Sequence, residues 1–246
     1  MPKAKTESKM GRNRTGVQMA PNEIEKMLSA LDSPLARPTA DGDESAIAEL
    51  RSRYISQSGP VGSVPPPGSA KGALKAGAQM LTGGRPQVLL DKLAERLAFE
   101  RSSTRVYDAL VTKCRADGAA GVSADRLVHI RDEEARHFQL LSECIEQLGG
   151  DPTAQTPAAD VVGVESAGIM QVVTDPKTTF AQSLHAILVA ELADNAAWDE
   201  LIALAQKLGQ DAMVELFDEA RRAEREHLDQ VSAWHRTLIL DQASIA

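Results

Sequence analysis

Aromatic residues are scarce in this chain of 246 residues: two tryptophans, two tyrosines and four phenylalanines make up 3% of it. Strands draw on aromatic and β-branched side chains, so this poverty argues against a sheet protein. Cysteine is nearly absent as well. Cys114 and Cys144 are too few for a disulfide framework and too far apart for a C-x-x-C pair, so buried thiols outside any disulfide are expected. No apolar run approaches the ~18 residues that a bilayer span needs. The first residues are polar and carry no apolar core of a secretory signal. Together these absences predict a cytoplasmic protein with no membrane partner. Positive charge is in deficit too: the formal net charge is −8, which excludes nucleic acid as the main partner.

What the chain has in quantity is alanine, leucine, glutamate, glutamine and arginine, the strong helix formers, within a hydrophobic content of 43%. Residues 1–85 read as an N-terminal arm, partly disordered or draped on the body that follows. Its first 20 residues are basic and aperiodic, short helical patches are expected over 21–32 and 43–56, and SGPVGSVPPPGS then breaks any helix. Residues 86–246 form the second domain, in which four long helical patterns appear.

The first pattern, over 87–116, places Leu90, Leu93, Leu97, Glu100, Thr104, Tyr107, Val111 and Cys114 at steps of three and four. The second, over 123–149, does the same with Leu127, Ile130, Glu134, His137, Leu141, Cys144 and Leu148, with Ser123 as an N-cap and a Gly-Gly stop. A third spans 178–208 and a fourth 211–240, separated at Gly209. Such stripes are the seams of bundle helices. Between the second and third patterns lies a weakly patterned crossover of about 28 residues, Gly150 to Lys177, as a bundle with one long connection requires.

Apart from Thr104 and Asp194, the stripes are apolar except at six positions. Glu100, Glu134, His137, Glu191, Glu224 and His227 sit near mid-helix with apolar neighbours on both sides. A single E-x-x-H on a helix is commonly a surface pair. Here the motif occurs twice, as Glu134-x-x-His137 and Glu224-x-x-His227, and the intervals repeat. Glu100 to Glu134 is 34 residues and Glu191 to Glu224 is 33, while both E-x-x-H members recur after 90. The chain reads as two copies of one helical hairpin. Four carboxylates and two imidazoles cannot share a core bare. They call for about four positive charges, which two divalent cations supply, and oxygen and nitrogen donors without thiolate suit iron or manganese.

At these residues the chain resembles the ferritin-like superfamily, in particular the rubrerythrin and bacterioferritin kind of bundle, over about residues 87–240. Such bundles hold two iron or manganese ions with a glutamate from each of two helices and a Glu-x-x-His from each of the other two. The resemblance implies a mainly α fold, a ferritin-like four-helix bundle with one long crossover preceded by an irregular arm. It implies that Glu100 and Glu191 are terminal ligands, that Glu134 and Glu224 bridge, and that His137 and His227 each cap one metal. Two iron ions per chain are the implied cofactor, with manganese as the alternative. The implied activity is reduction of O₂ or hydrogen peroxide, in iron oxidation or protection from oxidative stress. No rubredoxin-type cysteine pair is present, so electrons would come from a separate donor.

Rival readings are a manganese catalase, a di-iron oxygenase with an apolar substrate pocket beside the metals, and a non-enzymatic iron-binding or assembly protein. The long arm, and the absence of a fifth helical pattern after residue 240, are foreign to storage ferritins, so a 24-subunit cage is not expected. Whether the chain forms a homo-oligomer stays open.

Six other residues carry further expectations. Tyr107 follows Glu100 by two turns, as in the first helix of bacterioferritin, where LAFERSSTRVYDAL finds its likeness; it either bonds a ligand or donates an electron, or fills the core. Asp194 lies one turn beyond Glu191, where rubrerythrin-like bundles carry an extra carboxylate; a bond to a histidine or water, or a passive place in the core, are the other readings. Glu133 matches a position from which related sites place an acid on the opposite histidine, here His227, and otherwise reads as an exposed helix acid. His129, His185 and His235 fall off the stripes and read as surface residues.

Overall fold

The computed structural model describes residues 25, 26, 29, 44–59, 64–65, 85–117 and 121–244. The basic start, most of the helical patch at 21–32 and most of the Pro/Gly/Ser stretch lie outside the described residues. The chain divides into two units, Met1–Gly59 and Pro60–Ala246. In the first, α1 spans Glu44–Gln57, close to the expected patch at 43–56. Ile47, Leu50 and Tyr54 lie exposed along one side of it.

The second unit contains α2 (Pro86–Asp117), α3 (Ala124–Gln147), α4 (Pro157–Thr174), α5 (Phe180–Lys207) and α6 (Asp211–Ala243), and no strand occurs among the described residues. Helices α2 and α3 form one hairpin, α5 and α6 the other. The hairpins meet through α2 against α5 and α3 against α6. Local chemistry places each boundary. Ser123 accepts a hydrogen bond from the Arg126 amide and starts α3. Thr179 and Gln182 form a reciprocal capping box at the start of α5. Gly149 and Gly209, at φ +82° and +63°, end α3 and α5 in the left-handed conformation that glycine adopts without strain.

Side chains of the core sort into two apolar layers. One joins the start of α2 (Leu89, Leu93, Leu97) to the end of α3 (Leu141, Ile145), the end of α5 (Trp198, Leu201) and the start of α6 (Met213, Phe217). The other joins the opposite ends: Leu110 and Val111, Leu127 and Ile130, Leu184 and Ile187, Val231 and Trp234. Each helix is therefore antiparallel to both of its bundle neighbours. That arrangement makes α3 and α5 run the same way, so the chain must travel back along the bundle between them.

Helix α4 makes that journey. Its 18 residues span about 27 Å at 1.5 Å per residue, with Ala159 in the first layer and Val173 in the second. Periodicity did not reveal it. The segment PAADVVGVESAGIMQVVT is apolar on most sides, with Val161 and Val164 exposed while Val162 is buried, so it lacks an amphipathic stripe. It is tied at both ends. The Asp91 carboxylate accepts from the Ala158 amide at 3.0 Å, and Lys113 Nζ donates to the Asp175 and Thr178 carbonyls at 2.9 and 3.0 Å.

Leu93 is fully buried in the first layer. Leu93→Ala is expected to destabilise the bundle by about 2–5 kcal/mol in urea unfolding. A loss below about 1 kcal/mol would mean that this layer collapses around the gap.

Candidate metal centre

Between the two apolar layers lies one polar level. Glu100 comes from α2, Glu134 and His137 from α3, Glu191 from α5, and Glu224 and His227 from α6; all six are 0–8% exposed. The three-residue step from glutamate to histidine turns both side chains of each motif to the same face. Two sets of donor atoms lie within 4.8 Å of one another: Glu100, Glu134, His137 and Glu224 in one, Glu134, Glu191 and His227 in the other. Glu134 belongs to both. Glu224 touches both histidines, through Oε1 to His137 Nδ1 at 2.5 Å and through Oε2 to His227 Nδ1 at 3.0 Å. His227 Nδ1 also lies 3.2 Å from Glu134 Oε1.

The donor set fits a pair of cations. Glu100 Oε2, Glu134 Oε2 and Glu191 Oε2 are buried without a hydrogen-bond partner, and Glu224 Oε1 and His137 Nδ1 have only their mutual contact, which is not aligned as a hydrogen bond. Buried acceptors left this way are costly, and all of them face one small volume. Burial drives the Glu100, Glu134 and Glu224 carboxyls well above the ordinary range and the Glu191 carboxyl to about 8. Burial, and next the neighbouring His227, lowers His137 to about 4. Each shift is the mark of a charged form that lacks its counter-ion.

An outer layer holds these groups. His227 Nε2 meets Glu133 Oε2 at 3.0 Å, so donation from Nε2–H assigns the tautomer that leaves Nδ1 facing the carboxylates. Burial alone would raise the Glu133 carboxyl, but the bond and charge of His227, with His129 and Arg136, lower it. The placement of Glu133 on His227 agrees with the first of its two sequence readings and not with the exposed helix acid. The Tyr107 hydroxyl donates to Glu191 Oε1 and is held protonated, by burial first and then by the Glu191 charge. Asn195 Nδ2 donates to the carbonyls of Glu191 and Glu224 at 3.0 Å and so joins α5 to α6 at this level.

Asp194 does point inward, at 2% exposed, but its partner is Arg96. The Arg96 guanidinium is itself buried, reaches Glu100 Oε1 at 3.3 Å and sits 4.2 Å from the centre of the Phe99 ring. Sequence reasoning passed over Arg96 and Asn195. The available signal for Arg96 was its place one turn before Glu100, beside Leu97 on the inward half of α2. Trp198 packs edge-on to His137 at 5.6 Å. His129 and His185 are exposed; His235 is half-buried against His185, with ring centres 5.5 Å apart. Cys114 and Cys144 are buried and form no disulfide.

No described helix is long and apolar enough to cross a membrane. No curated protein and no solved structure matches the chain significantly. A protein-family model, described as Ferritin-like domain, matches residues 90–240, which takes in all six of these residues and the helices that carry them. The chain therefore belongs to the ferritin-like family.

Proposed function

We propose that this protein holds two iron ions per chain and uses them to reduce O₂ or hydrogen peroxide, in ferrous-iron oxidation or protection from oxidative stress. The observation that carries the reading is the balance of charge at the buried level. The single charge of Arg96, which touches both Asp194 and Glu100, is balanced by Asp194, so the four buried carboxylates of Glu100, Glu134, Glu191 and Glu224 keep a net charge that no further described Lys or Arg offsets. Two divalent ions neutralise four carboxylates, and the orphaned oxygens offer them ligands from every helix of the bundle.

Held by these residues, two adjacent ions that change valence would together supply the two electrons that a peroxide takes up. The remaining work falls to the protein. Glu134 belongs to both donor sets and Glu224 reaches Nδ1 of both histidines, Tyr107 and Asn195 fix the side chain and backbone of Glu191, and Glu133 keeps His227 in the tautomer that offers Nδ1. A cavity of about 10 Å³, with Ser103, Val106, Tyr107, Ser166 and Ile187 in its wall, lies beside this level. It has room for one water-sized molecule.

Stopped-flow mixing of the reduced, iron-loaded protein with each oxidant tests the proposal. Bound iron is expected to oxidise faster than free ferrous ion with at least one of them. Tyr107→Phe, which removes the bond to Glu191, is expected to slow the step by about tenfold while both irons stay bound. If neither oxidant reacts faster with the protein than with free iron, the oxidoreductase reading fails and a carrier role takes its place.

A further inference from the structure

The two halves of the site descend from one repeated hairpin, yet their surroundings do not repeat. Glu133 stands behind His227 at 3.0 Å, whereas the residue 90 positions on, where an acid for His137 would stand, is Ala223. Tyr107 donates to Glu191; the corresponding residue, 91 positions on, is Trp198, which packs on His137 and whose Nε1 has no partner. Arg96 reaches Glu100, and its counterpart beside Glu191 is Ile187, an apolar residue of the second layer.

All three differences act in one direction. At the Glu191–His227 end, a carboxylate behind the imidazole makes Nδ1 a stronger donor, and a neutral phenol orients the glutamate. At the Glu100–His137 end the histidine has no acid behind it. The glutamate there already shares one oxygen with a buried guanidinium, so an incoming cation must compete with a resident one.

We propose that the two metal positions are inequivalent, that the position at Glu191 and His227 fills first, and that Arg96 keeps the position at Glu100 and His137 the weaker of the two. This rests on the di-metal reading above. It also gives the Arg96–Asp194 pair a function: Asp194 is held by the guanidinium and does not join the ligands while that pair is intact.

The test is titration of the metal-free protein with Mn(II), read by calorimetry and by the resonance of free Mn(II). Repulsion between the ions separates two steps in any such site, so the order is read from variants that lack one ligand. Glu100→Gln is expected to keep the first, tight step close to that of the parent protein. Glu191→Gln is expected to weaken that step by at least about tenfold, and Glu133→Gln to weaken it by about 10- to 100-fold. Arg96→Met combined with Asp194→Leu removes cation and counter-ion together, so no unpaired charge is left in the core. In it the second step is expected to tighten by about tenfold, with the first unchanged.

Equal weakening of the first step by Glu100→Gln and Glu191→Gln would overturn the order of filling. A second step unmoved in the Arg96/Asp194 variant, with native helicity, would overturn the role of Arg96; should that variant not fold, the comparison among the three single variants still decides the order. Two ions bound without preference would leave the di-metal reading standing and remove this one, whereas no binding at all would remove both.

Discussion

Replacing Glu134 and Glu224 together by alanine is expected to strip both metal ions from the protein and leave a folded apo bundle. Glu134 belongs to both donor sets, and Glu224 reaches Nδ1 of both histidines. Removing the two therefore takes ligands from each ion at once. Even groups that only support a ligand cost about 10- to 100-fold in metal affinity, so the loss of two shared ligands should exceed about a thousandfold. The fold should survive because these side chains are fully buried acids without compensating cations in the apo state. Apolar replacement of such groups at similar volume is neutral or stabilising by about 1–4 kcal/mol, and the gap left by the smaller alanine offsets that gain. Elemental analysis after desalting, with calorimetric melting of the same samples, checks both halves. Two tight ions in the double variant would show that neither residue bridges. A collapse of the apo fold would show that the carboxylates support the bundle in some other way.

Metal-free protein should lose stability as pH rises from about 5 to 8, and saturating metal should reverse the loss. The sign follows from which state holds more protons. Glu100, Glu134, Glu191 and Glu224 all have carboxyls raised in the folded state, Glu191 to about 8. Between the ordinary carboxylate range and those raised values the folded chain binds more protons than the unfolded one. Stability is then fully present below that range and is lost as pH climbs through it.

His137 works against this trend. Its imidazole is lowered to about 4, so the folded state binds fewer protons between about 4 and its ordinary value near 6.5, and stability rises with pH there. Four acids outweigh one imidazole, and above about pH 6.5 the acids act alone. The loss should reach several kcal/mol, on the order of 10 °C in melting temperature for a chain of this size. Bound metal takes the place of the protons. At a thousand times its dissociation constant it adds about 4 kcal/mol, and more at higher pH, where the ligands are already deprotonated. Scanning calorimetry of chelator-treated and metal-loaded samples at about pH 5.5 and 8 provides the comparison. A metal-free melting point that rises over that interval would show that the four carboxylates are not buried together unneutralised.

Helix period and chemistry were enough to read most of this site from the chain. A glutamate on an apolar stripe is conspicuous because a helix repeats every 3.6 residues and leaves little freedom in where position 100, 134, 191 or 224 can face. The same rule placed His137 and His227 beside their glutamates, and the repeat of intervals tied the two hairpins to one plan. Glu133 on His227 was legible through family likeness alone, since 94 residues separate the two.

Other features depend on distances that no local pattern encodes. Helix α4 is apolar on both sides, so nothing in its periodicity announced it. The need for it came from the direction of α5, which is settled by which ends of the helices share a core layer. Arg96 and Asp194 lie 98 residues apart; Asp194 alone reads as an inward carboxylate beside Glu191, and nothing local names Arg96 as its partner. Only the packing of α2 against α5 brings the two side chains into one dry space, where an unpaired charge is too costly to persist. The inward placement of the six candidate ligands was thus determined by sequence through the helix repeat. The asymmetry between the two ends of the site was decided by tertiary packing, because an ion pair forms only where separate helices meet.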